Sequence, residues 1–216
     1  TPEQAQALEV ARSLASAGIP VFVAAADPSS TTGYQLPSRW HQMCADPAVI
    51  DNWRPGMALG LVMGHGLDLL DVDPHSGGDP AALNGNTPAS YGAATTPSGG
   101  VHSFIRSLGV RSRDKVLPGI DVKAGDAEGK GRGFAFIAPT VRISKTTGQP
   151  TPYRWVSAPD VTRLQAAMRG EITDTSGAPL AELIAQVRAA TTSPSPSEPY
   201  TGPAFDEMPD DLQNSV

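Results

Sequence analysis

Two aspartates, Asp71 and Asp73, close a largely apolar run that begins at Leu67, and Pro74 follows them at once. Residues two apart in a β-strand face the same side, about 6.5–7 Å apart, so the two carboxylates are predicted to project together. Carboxylates this close repel each other unless a cation lies between them. Oxygen ligands at a strand end suit Mg²⁺ or Mn²⁺, which commonly bridge phosphates in phosphoryl transfer. The alternative is that the two acids only solvate the strand end before a turn.

A glycine turn followed by a strand lies in residues 96–106, whose sequence is "TPSGGVHSFIR". The turn consists of Ser98, Gly99 and Gly100. Glycines let backbone N–H groups approach an anion closely. The alternating side chains of the following strand put His102 and Arg106 on one face. We therefore predict a cradle for a triphosphate here, against the alternative that His102 is an ordinary core or surface histidine.

A third carboxylate, Asp121, lies in the stretch "PGIDVKAG" at residues 118–125, where it shares one face of a short predicted strand with Lys123. Together with Asp71 and Asp73, it would complete a site for two metal ions. Taken alone, this stretch is a short polar strand between glycines.

Composition narrows the class of protein. The chain has 216 residues, which suits one domain with extensions, and 39% of them are hydrophobic. The single cysteine, Cys44, excludes a disulfide framework and zinc sites built on cysteines, and it fits a reducing cytoplasm. The sequence has no apolar run of the length, about 18 residues, that spans a membrane. Thr1 is not a methionine and no signal sequence follows it, so we expect an expressed fragment or a processed start.

Charge is distributed unevenly along the chain. The net charge is -6, but bases outnumber acids in residues 106–145, and acids outnumber bases from residue 157 onwards. A basic segment can meet nucleic-acid phosphates, so we predict contacts from part of it. The predicted contact residues are Arg111, Arg113, Lys130 and Arg132. The alternative is a solvated loop with ordinary surface charge.

Local signals predict the elements that position these side chains. Thr1 caps a helix that Gly18 ends, and two apolar runs, at 59–63 and 67–73, flank the turn "GHG" and are predicted to form a β-hairpin. Further strands are expected at 19–26, 101–106, 120–123, 133–138 and 153–156, and helices at 46–53, 80–83, 160–169 and 179–190. These elements predict an α+β class with an antiparallel-rich sheet flanked by helices.

The chain divides into three predicted parts. Residues 1–158 hold all the motifs above and form the expected catalytic domain, and residues 159–190 form a helical extension. Residues 191–216 are rich in serine, proline and acids, so we expect a disordered linker or tail there. We expect this tail to lead to a further module of a larger protein.

In this order, the motifs resemble those of the archaeo-eukaryotic primase superfamily. The most similar branch is the bifunctional primase-polymerase domain of plasmid and phage replication proteins. The resemblance covers residues 5–158. It includes "AGIPVFV", "DPAVIDNW", "GLVMGHGLDLLDVDP", "TPSGGVHSFIR", "GIDVKAG", "GFAFIAP" and "YRW". It implies a primase-like α+β catalytic core, with antiparallel-rich sheets flanked by helices.

The resemblance implies template-dependent nucleotidyl transfer, as DNA primase and DNA polymerase, on a single-stranded DNA template. The catalytic Mg²⁺ or Mn²⁺ ions would be ligated by Asp71, Asp73 and Asp121. The phosphates of an incoming NTP or dNTP would be contacted by residues of the second and third motifs. These residues are Ser98, Gly99, Gly100, His102, Arg106 and Lys123.

The resemblance also implies a setting for the protein. It would act in the cytoplasm of a bacterial cell, encoded by a phage or a plasmid, with a fused or associated helicase as partner. One feature departs from the family, because members often carry a lysine before the proline of the first loop, and "YQLPSRW" has none. Arg39 is the nearest replacement.

Other functions fit parts of the pattern. A phosphatase of the haloacid-dehalogenase type shares the look of "LLDVD" but needs a late lysine and an acidic pair on a strand. A DxD glycosyltransferase uses two acids and a metal, yet it would not require the "SGGVH" strand. A calcium loop fails because "DVDPHSGGDPAA" has no glutamate at its twelfth position. A catalytically vestigial module that binds nucleotides or DNA fits the same residues without catalysis.

Overall fold

The computed structural model describes residues 1–192, which have mixed α and β structure. The α-helices are α1 (Pro2–Ser16), α2 (Val161–Met168) and α3 (Ala178–Thr192). Within the described residues, no helix is both long enough and apolar enough to cross a membrane. The α+β class predicted from the sequence is confirmed. The predicted disorder of the tail falls, from residue 193 onwards, outside the described residues.

The strands form two large sheets and a separate hairpin. In chain order they are β1 (Val21–Ala26), β2 (Tyr34–Gln35), β3 (Ala58–Val62), β4 (Leu67–Val72), β5 (Ser90–Thr95), β6 (Val101–Arg106), β7 (Arg113–Leu117), β8 (Ile120–Lys123), β9 (Phe134–Ile137), β10 (Val141–Ile143), β11 (Pro150–Pro152) and β12 (Arg154–Ser157). The four-stranded sheet has the order β2-β1-β3-β9, and the six-stranded sheet has the order β12-β5-β6-β4-β8-β7. All pairings are antiparallel, and β10 pairs with β11. Short 3₁₀-helices cover Trp40–Gln42, Pro47–Asn52, Pro74–Ser76 and Pro80–Leu83.

Helix α1 starts where its sequence supplies a complete cap. The Thr1 hydroxyl accepts a hydrogen bond from the Gln4 N–H at 3.2 Å, and the Gln4 side chain accepts one from the Thr1 amino group at 2.9 Å. Pro2 occupies the first turn, where an N–H donor would have no partner within the helix. The inner face of the helix buries Ala11 and Leu14 in the core.

The six-stranded sheet is covered on both faces, and β4 runs through its middle. Leu69 packs in the core shared with the four-stranded sheet, α1 and α2, whereas Leu70 packs in a second core with Leu180 and Ile184 of α3. Burial of apolar side chains on both faces stabilises β4 by about 1.5–3 kcal/mol for each large residue. The segment that was predicted as a helical extension therefore shares its apolar contacts with the sheet.

The predicted hairpin between β3 and β4 is wrong. The turn between them exists, because the Gly64 N–H donates to the carbonyl of Leu67 at 3.0 Å. However, β3 pairs with β1 and β9, and β4 pairs with β6 and β8, so each strand has both of its edges occupied in its own sheet. Asp68 helps to turn the chain, since its buried carboxylate accepts from the Gly64 N–H at 2.9 Å.

Other elements differ from the prediction in extent or were not predicted. Strand β5 lies in a segment with little apolar periodicity, and β7, β10 and β11 are short strands in polar sequence. Helix α3 runs to Thr192, so the first two residues of the predicted tail are helical. The remaining predicted strands and helices are present, with ends that shift by a few residues.

Candidate active site

Asp71 lies at the centre of a row of three side chains on adjacent strands. It is directly opposite His102 of β6 on one side and Asp121 of β8 on the other. Directly opposite residues in an antiparallel pair project from the same face, with Cβ atoms about 4.5–5.5 Å apart. The strand register thus brings together one side chain from each of the three predicted motifs: Asp71 from the first, His102 from the second and Asp121 from the third.

His102 is held in this row by burial. It is 5% exposed, and its Nε2 atom lies 3.6 Å from the Oδ1 atom of Asp71. Its ring packs against the ring of Tyr153, with centroids 5.5 Å apart. Its other nitrogen, Nδ1, is buried and has no hydrogen-bond partner among the described residues. A buried polar atom without a partner is costly, so the position of this imidazole is set by its neighbours on the sheet and not by its own hydrogen bonding.

Asp73 lies one residue beyond the end of β4 and is fixed through its backbone. Its N–H donates to the carbonyl of Gly119 at 2.8 Å, and its carbonyl accepts from the Gly78 N–H at 2.9 Å. A Cβ atom at Gly119 would lie 2.1 Å from the Gly78 nitrogen, so side chains have no room where these segments meet. Gly78 and Gly119, which have no side chains, therefore permit this close packing.

The side chain of Asp73 caps the 3₁₀-helix Pro74–Ser76. Its Oδ1 atom accepts from the His75 N–H at 3.0 Å, and its Oδ2 atom accepts from the Ser76 hydroxyl at 2.8 Å. Each carboxylate oxygen can accept a further hydrogen bond or bind a cation, since it has a second lone pair. Capping therefore orients this carboxylate and leaves lone pairs on its oxygens available for a further ligand.

Asp121 is held by two lysines. Its Oδ1 atom accepts from the backbone N–H of Lys115 at 2.7 Å, and the Lys123 ammonium lies 3.2 Å from its Oδ2 atom. Lys123 also donates to Asp114. Burial opposes the charge of Lys123, but its hydrogen bond to Asp114 and the charges of both aspartates outweigh burial and raise the pKa of Lys123.

Lys115 holds Asp121 through an irregular strand. It has a φ angle of 55°, which is uncommon for a residue with a side chain. It lies in a bulge of β7, whose register with β8 shifts between Arg113 and Leu117. Bulges re-aim side chains next to functional sites, and this one turns the Lys115 N–H towards the carboxylate.

Two cavities meet at Asp71 and Asp73. One, of about 800 Å³, is also lined by Asp114, Lys115, Asp121 and Lys145. The other, of about 140 Å³, is also lined by Ser98, His102, Arg142, Lys145 and Tyr153. The carboxylates therefore form the boundary between an acidic cavity and a smaller one with basic side chains.

The smaller cavity also has lining residues that were not among the predicted site residues, and Arg142, Lys145 and Tyr153 are those with charged or ionisable side chains. Lys145 approaches Asp73, with its Nζ atom 3.8 Å from Oδ2. Burial raises the pKa of Tyr153, and the charge of Arg142 opposes this rise. These residues lie in or beside the β10–β11 hairpin, and the only signal for them in the sequence is the basic character of the middle segment.

The glycine turn at residues 96–100 differs from the predicted phosphate cradle. The Gly99 N–H donates to the Thr96 carbonyl at 3.0 Å, and the Gly100 N–H donates to the Thr96 hydroxyl at 2.9 Å. Both glycine donors are thus used within the turn, whereas the predicted cradle would have them point at an anion. Instead, the Ser98 hydroxyl accepts from the Lys145 N–H at 2.9 Å, so the turn braces the strand connection that carries Lys145.

Arg106 lies outside both cavities. It pairs with Leu67 at the far end of β6, four residues from His102, which corresponds to about 13 Å along a strand. Lys123 does reach the site, but through its contact with Asp121. Of the two predicted phosphate contacts with basic side chains that are always or usually charged, Arg106 and Lys123, the structure therefore brings only Lys123 to the carboxylates.

The four residues predicted to contact nucleic acid lie elsewhere. Arg111 bonds Asp126 at 2.8 Å, and together with Arg113 it lines a separate cavity of about 690 Å³ next to α3. Lys130 lies in the β8–β9 loop and donates its N–H to Asp126, and the Arg132 guanidinium donates to the carbonyl of His41 at 3.0 Å. These four side chains are not part of either cavity that meets at Asp71.

The carboxylates fit a divalent metal ion by donor type. Asp71, Asp73 and Asp121 line one cavity with oxygen ligands, which hard cations such as Mg²⁺ and Mn²⁺ prefer. In the arrangement present, no group of three or more His, Cys, Asp or Glu side chains within residues 1–192 could hold a metal ion. The hydrogen bonds of Asp73 and the lysine contact of Asp121 explain this spacing, because they draw these two carboxylates towards other partners.

Asp68 is a buried acid that the motif analysis did not single out. Its side chain accepts from the Gly64 N–H, from the Leu108 N–H at 2.7 Å and from the Ser107 hydroxyl at 3.2 Å. Burial raises the pKa of Asp68 to about 7, although these three hydrogen bonds oppose the rise. Asp68 thus connects the turn between β3 and β4 to the segment that follows β6, away from the two cavities.

Comparison with known proteins assigns no family. No family model matches the chain, and no curated protein matches it either. The function of this protein is therefore inferred from the side chains of the site and from the motifs that supply them.

Proposed function

We propose that this protein is a nucleotidyltransferase of the primase-polymerase type, with a primase-like catalytic core, which joins nucleotides on a single-stranded DNA template. The observation that supports it best is the row of Asp121, Asp71 and His102 on three neighbouring strands, with Asp73 just beyond. The same acids and histidine carry the sequence resemblance to that superfamily. Geometry and motif order therefore favour the same activity.

The cofactor of the proposed reaction is Mg²⁺ or Mn²⁺, which Asp71, Asp73 and Asp121 would hold. When bound, the ions would supply positive charge for the reacting oxygens and the phosphates. In support, all three carboxylates line one cavity, although Asp73 is directed towards its cap and Asp121 towards Lys115 and Lys123 in the arrangement present. Binding would require Asp121 to exchange its contact with Lys123.

In the proposed reaction, the 3′-hydroxyl of a primer or of a first nucleotide attacks the α-phosphorus of an incoming NTP or dNTP. The 3′-oxygen forms a bond to that phosphorus, the bond to the β-phosphate oxygen breaks, and pyrophosphate leaves. The hydroxyl proton passes to solvent. His102 would orient the phosphates and Lys145 would balance their charge, so that the protein contributes positioning and charge stabilisation.

A catalytically vestigial module that binds nucleotides or DNA is the second candidate. One observation favours it: lysine ammonium groups lie 3.2 Å from Asp121 and 3.8 Å from Asp73. These contacts neutralise two of the three carboxylates without a metal ion. The basic side chains at the smaller cavity could then hold phosphates in the absence of catalysis.

We extend the proposal to the setting of the reaction. The protein would serve phage or plasmid DNA replication in the bacterial cytoplasm, with a fused or associated helicase as partner. The resemblance of residues 5–158 to such replication proteins supports this part. It is tested by asking whether loss of the protein prevents replication of the phage or plasmid that encodes it.

Nucleotide incorporation decides between the two candidates. The protein is given labelled nucleotide and single-stranded template with Mg²⁺ or Mn²⁺, with and without a primer, beside an Asp71→Ala/Asp73→Ala double variant. Metal-dependent products that the double variant does not make would support a polymerase, and products without a primer would support a primase. Absence of product, with nucleotide or DNA still bound, would favour the binding module.

A further inference from the structure

The cavity beside His102 is too small for a whole nucleotide. It measures about 140 Å³ and is lined by acidic, basic and hydroxyl groups, among them Asp71, Lys145 and Tyr153. Pockets that enclose small-molecule ligands usually measure about 300–1,000 Å³. This cavity therefore has room for phosphate groups, and the sugar and base of a nucleotide must lie in an adjoining space.

Two larger cavities adjoin it, and they differ in charge. The cavity of about 800 Å³ is lined by four carboxylates, those of Asp71, Asp73, Asp114 and Asp121. The other measures about 380 Å³, lies between residues 26–34 and β10, and has no acidic residue in its lining. A neutral base with apolar faces is stabilised more in the cavity of about 380 Å³, which has no acidic lining. The cavity of about 800 Å³ is left for the reacting hydroxyl and the cations.

Arg142 and Ile143 join the small cavity to the cavity of about 380 Å³, because both residues line both cavities. The Arg142 guanidinium donates to the carbonyl of Thr31 at 3.5 Å on one side and lies 5.9 Å from the centre of the Phe136 ring. A guanidinium at the boundary between two cavities is suited to the phosphate next to a sugar, since it can bind that phosphate by two parallel hydrogen bonds.

Apolar side chains on β10 form one wall of this second cavity. Ile143 is 63% exposed and Val141 is 40% exposed, and alternation along the strand puts both on the side opposite to Arg142. The exposed isoleucine lies between two cations in sequence, Arg142 and Lys145. An apolar surface flanked by phosphate-binding groups matches a nucleotide, whose base has apolar faces and whose phosphates are charged.

Hydroxyl groups form the opposite wall. Ser30, Thr31 and Thr32 line the cavity, and the Ser30 and Thr32 hydroxyls are hydrogen-bonded to each other at 3.0 Å. The Tyr34 hydroxyl donates to the carbonyl of Val141, so the two walls are linked. Hydroxyls can both donate and accept, which suits the polar edge of a base or the hydroxyls of a sugar.

We infer that the cavity between residues 26–34 and β10 is the subsite for the sugar and base of a nucleotide whose phosphates lie beside His102 and Lys145. This inference rests on the proposed function, because it assumes that the small cavity binds phosphates. It assigns Ile143 as a residue that contacts the base and Arg142 as the residue between base and phosphates.

The test compares two probes on variants of the described chain. Dissociation constants are measured by calorimetry for a deoxynucleoside triphosphate and for inorganic triphosphate, each with Mn²⁺. Ile143→Ala should weaken nucleotide binding about tenfold and leave inorganic triphosphate binding unchanged, because Ile143 also lines the small cavity but has no charge or hydrogen-bond donor for a phosphate. Ile172→Ala is the matched control, since Ile172 is also exposed, at 41%, and lines none of these cavities. Lys145→Gln should weaken the binding of both probes.

Each other outcome counts against the inference in a recognisable way. Equal loss of both probes in Ile143→Ala, or nucleotide binding as in the Ile172→Ala control, would show that the base lies elsewhere. If the wild-type protein binds inorganic triphosphate as tightly as the nucleotide, the base subsite is contradicted and the phosphate site is still supported. Wild-type protein that binds neither probe would overturn the proposed function together with the inference. Thermal unfolding of each variant confirms that it is folded.

Discussion

The Oδ1 atom of Asp71 lies 3.6 Å from the Nε2 atom of His102, and the two residues are directly opposite each other on paired strands. Both strands, β4 and β6, have neighbours on each side in the six-stranded sheet. A shift of the register by one residue would turn one of the two side chains to the other face of the sheet. This contact between acid and imidazole is therefore built into the backbone pairing.

Removal of the paired acids is expected to abolish nucleotide incorporation without unfolding the protein. Asp71→Ala/Asp73→Ala removes two of the three proposed metal ligands, and both side chains lie at a cavity wall. Incorporation is measured by primer extension and folding by thermal unfolding. Asp79→Asn is the control, because Asp79 also caps a short 3₁₀-helix but lies outside both cavities. Full-rate incorporation by the folded double variant would contradict the assignment.

Ser98 is expected to act through Lys145, because its hydroxyl accepts from the Lys145 N–H at 2.9 Å. Ser98→Ala should raise the KM for nucleotide a few-fold with little change in kcat, and Lys145→Gln should raise it about tenfold. The double variant should be no worse than Lys145→Gln, since the two residues then serve one contact. Steady-state kinetics on all three variants measures this. Additive losses would mean that Ser98 contacts the nucleotide by itself.

Gly119→Ala is expected to destabilise the protein by about 3 kcal/mol or more. The new Cβ would lie 2.1 Å from the Gly78 nitrogen, and Gly119 also has a φ of +62°. Gly85→Ala isolates the cost of the backbone conformation, because Gly85 has a φ of +83° and nothing within 4 Å of its Cβ position. That control should lose only about 1–2 kcal/mol. Urea unfolding measures both, and equal losses would mean that the close approach at Asp73 relaxes freely.

Stability is expected to fall as the pH rises towards neutrality, because of Asp68. Burial raises its pKa to about 7 in the folded protein from 3.8, so between these values the folded state binds the proton that the unfolded state has lost. Unfolding free energy contributed by this group therefore decreases with pH across that window and levels off above it.

The Asp68→Asn variant tests this contribution. It should lose about 1–3 kcal/mol of stability, since an amide cannot accept all three hydrogen bonds of the carboxyl group. Its unfolding free energy should vary less with pH than that of the wild type between about pH 4 and 7, the window between the unfolded and folded pKa values of Asp68. Urea unfolding at several pH values measures both effects. An unchanged pH dependence in the variant would show that Asp68 does not titrate in this range.

The acid and histidine motifs could be predicted from the sequence because each lies on a strand with a clear local signal. An apolar run predicted β4 and short segments beside glycines predicted β6 and β8, and these strands carry Asp71, His102 and Asp121. The pairing partners of the strands could not be predicted in this way, because the sequence of a short glycine turn is the same whether its flanking strands pair with each other or enter different sheets. The turn at Gly64 therefore suggested a hairpin, although β3 and β4 belong to different sheets.

The basic half of the site could not be predicted because it depends on contacts distant in sequence. Lys145 approaches Asp73 across 72 positions of the chain, and its hairpin has no apolar periodicity that would mark its strands. The hydrogen bonds of the glycine turn could not be predicted for a related reason. Two glycines suit an anion cradle, but the hydroxyl and carbonyl of Thr96 use both amide donors, and only the folded turn reveals this.

The β10–β11 hairpin is a two-stranded sheet of its own, whereas the acids and His102 stand on strands in or next to the middle of the six-stranded sheet. Changes to the hairpin therefore leave the sheet pairings of Asp71, His102 and Asp121 untouched. Under the proposed function, substitutions in residues 141–152 would alter which bases and sugars are accepted, at small cost to the proposed chemistry. Reaction and substrate range could then evolve independently, because they depend on separate parts of the fold.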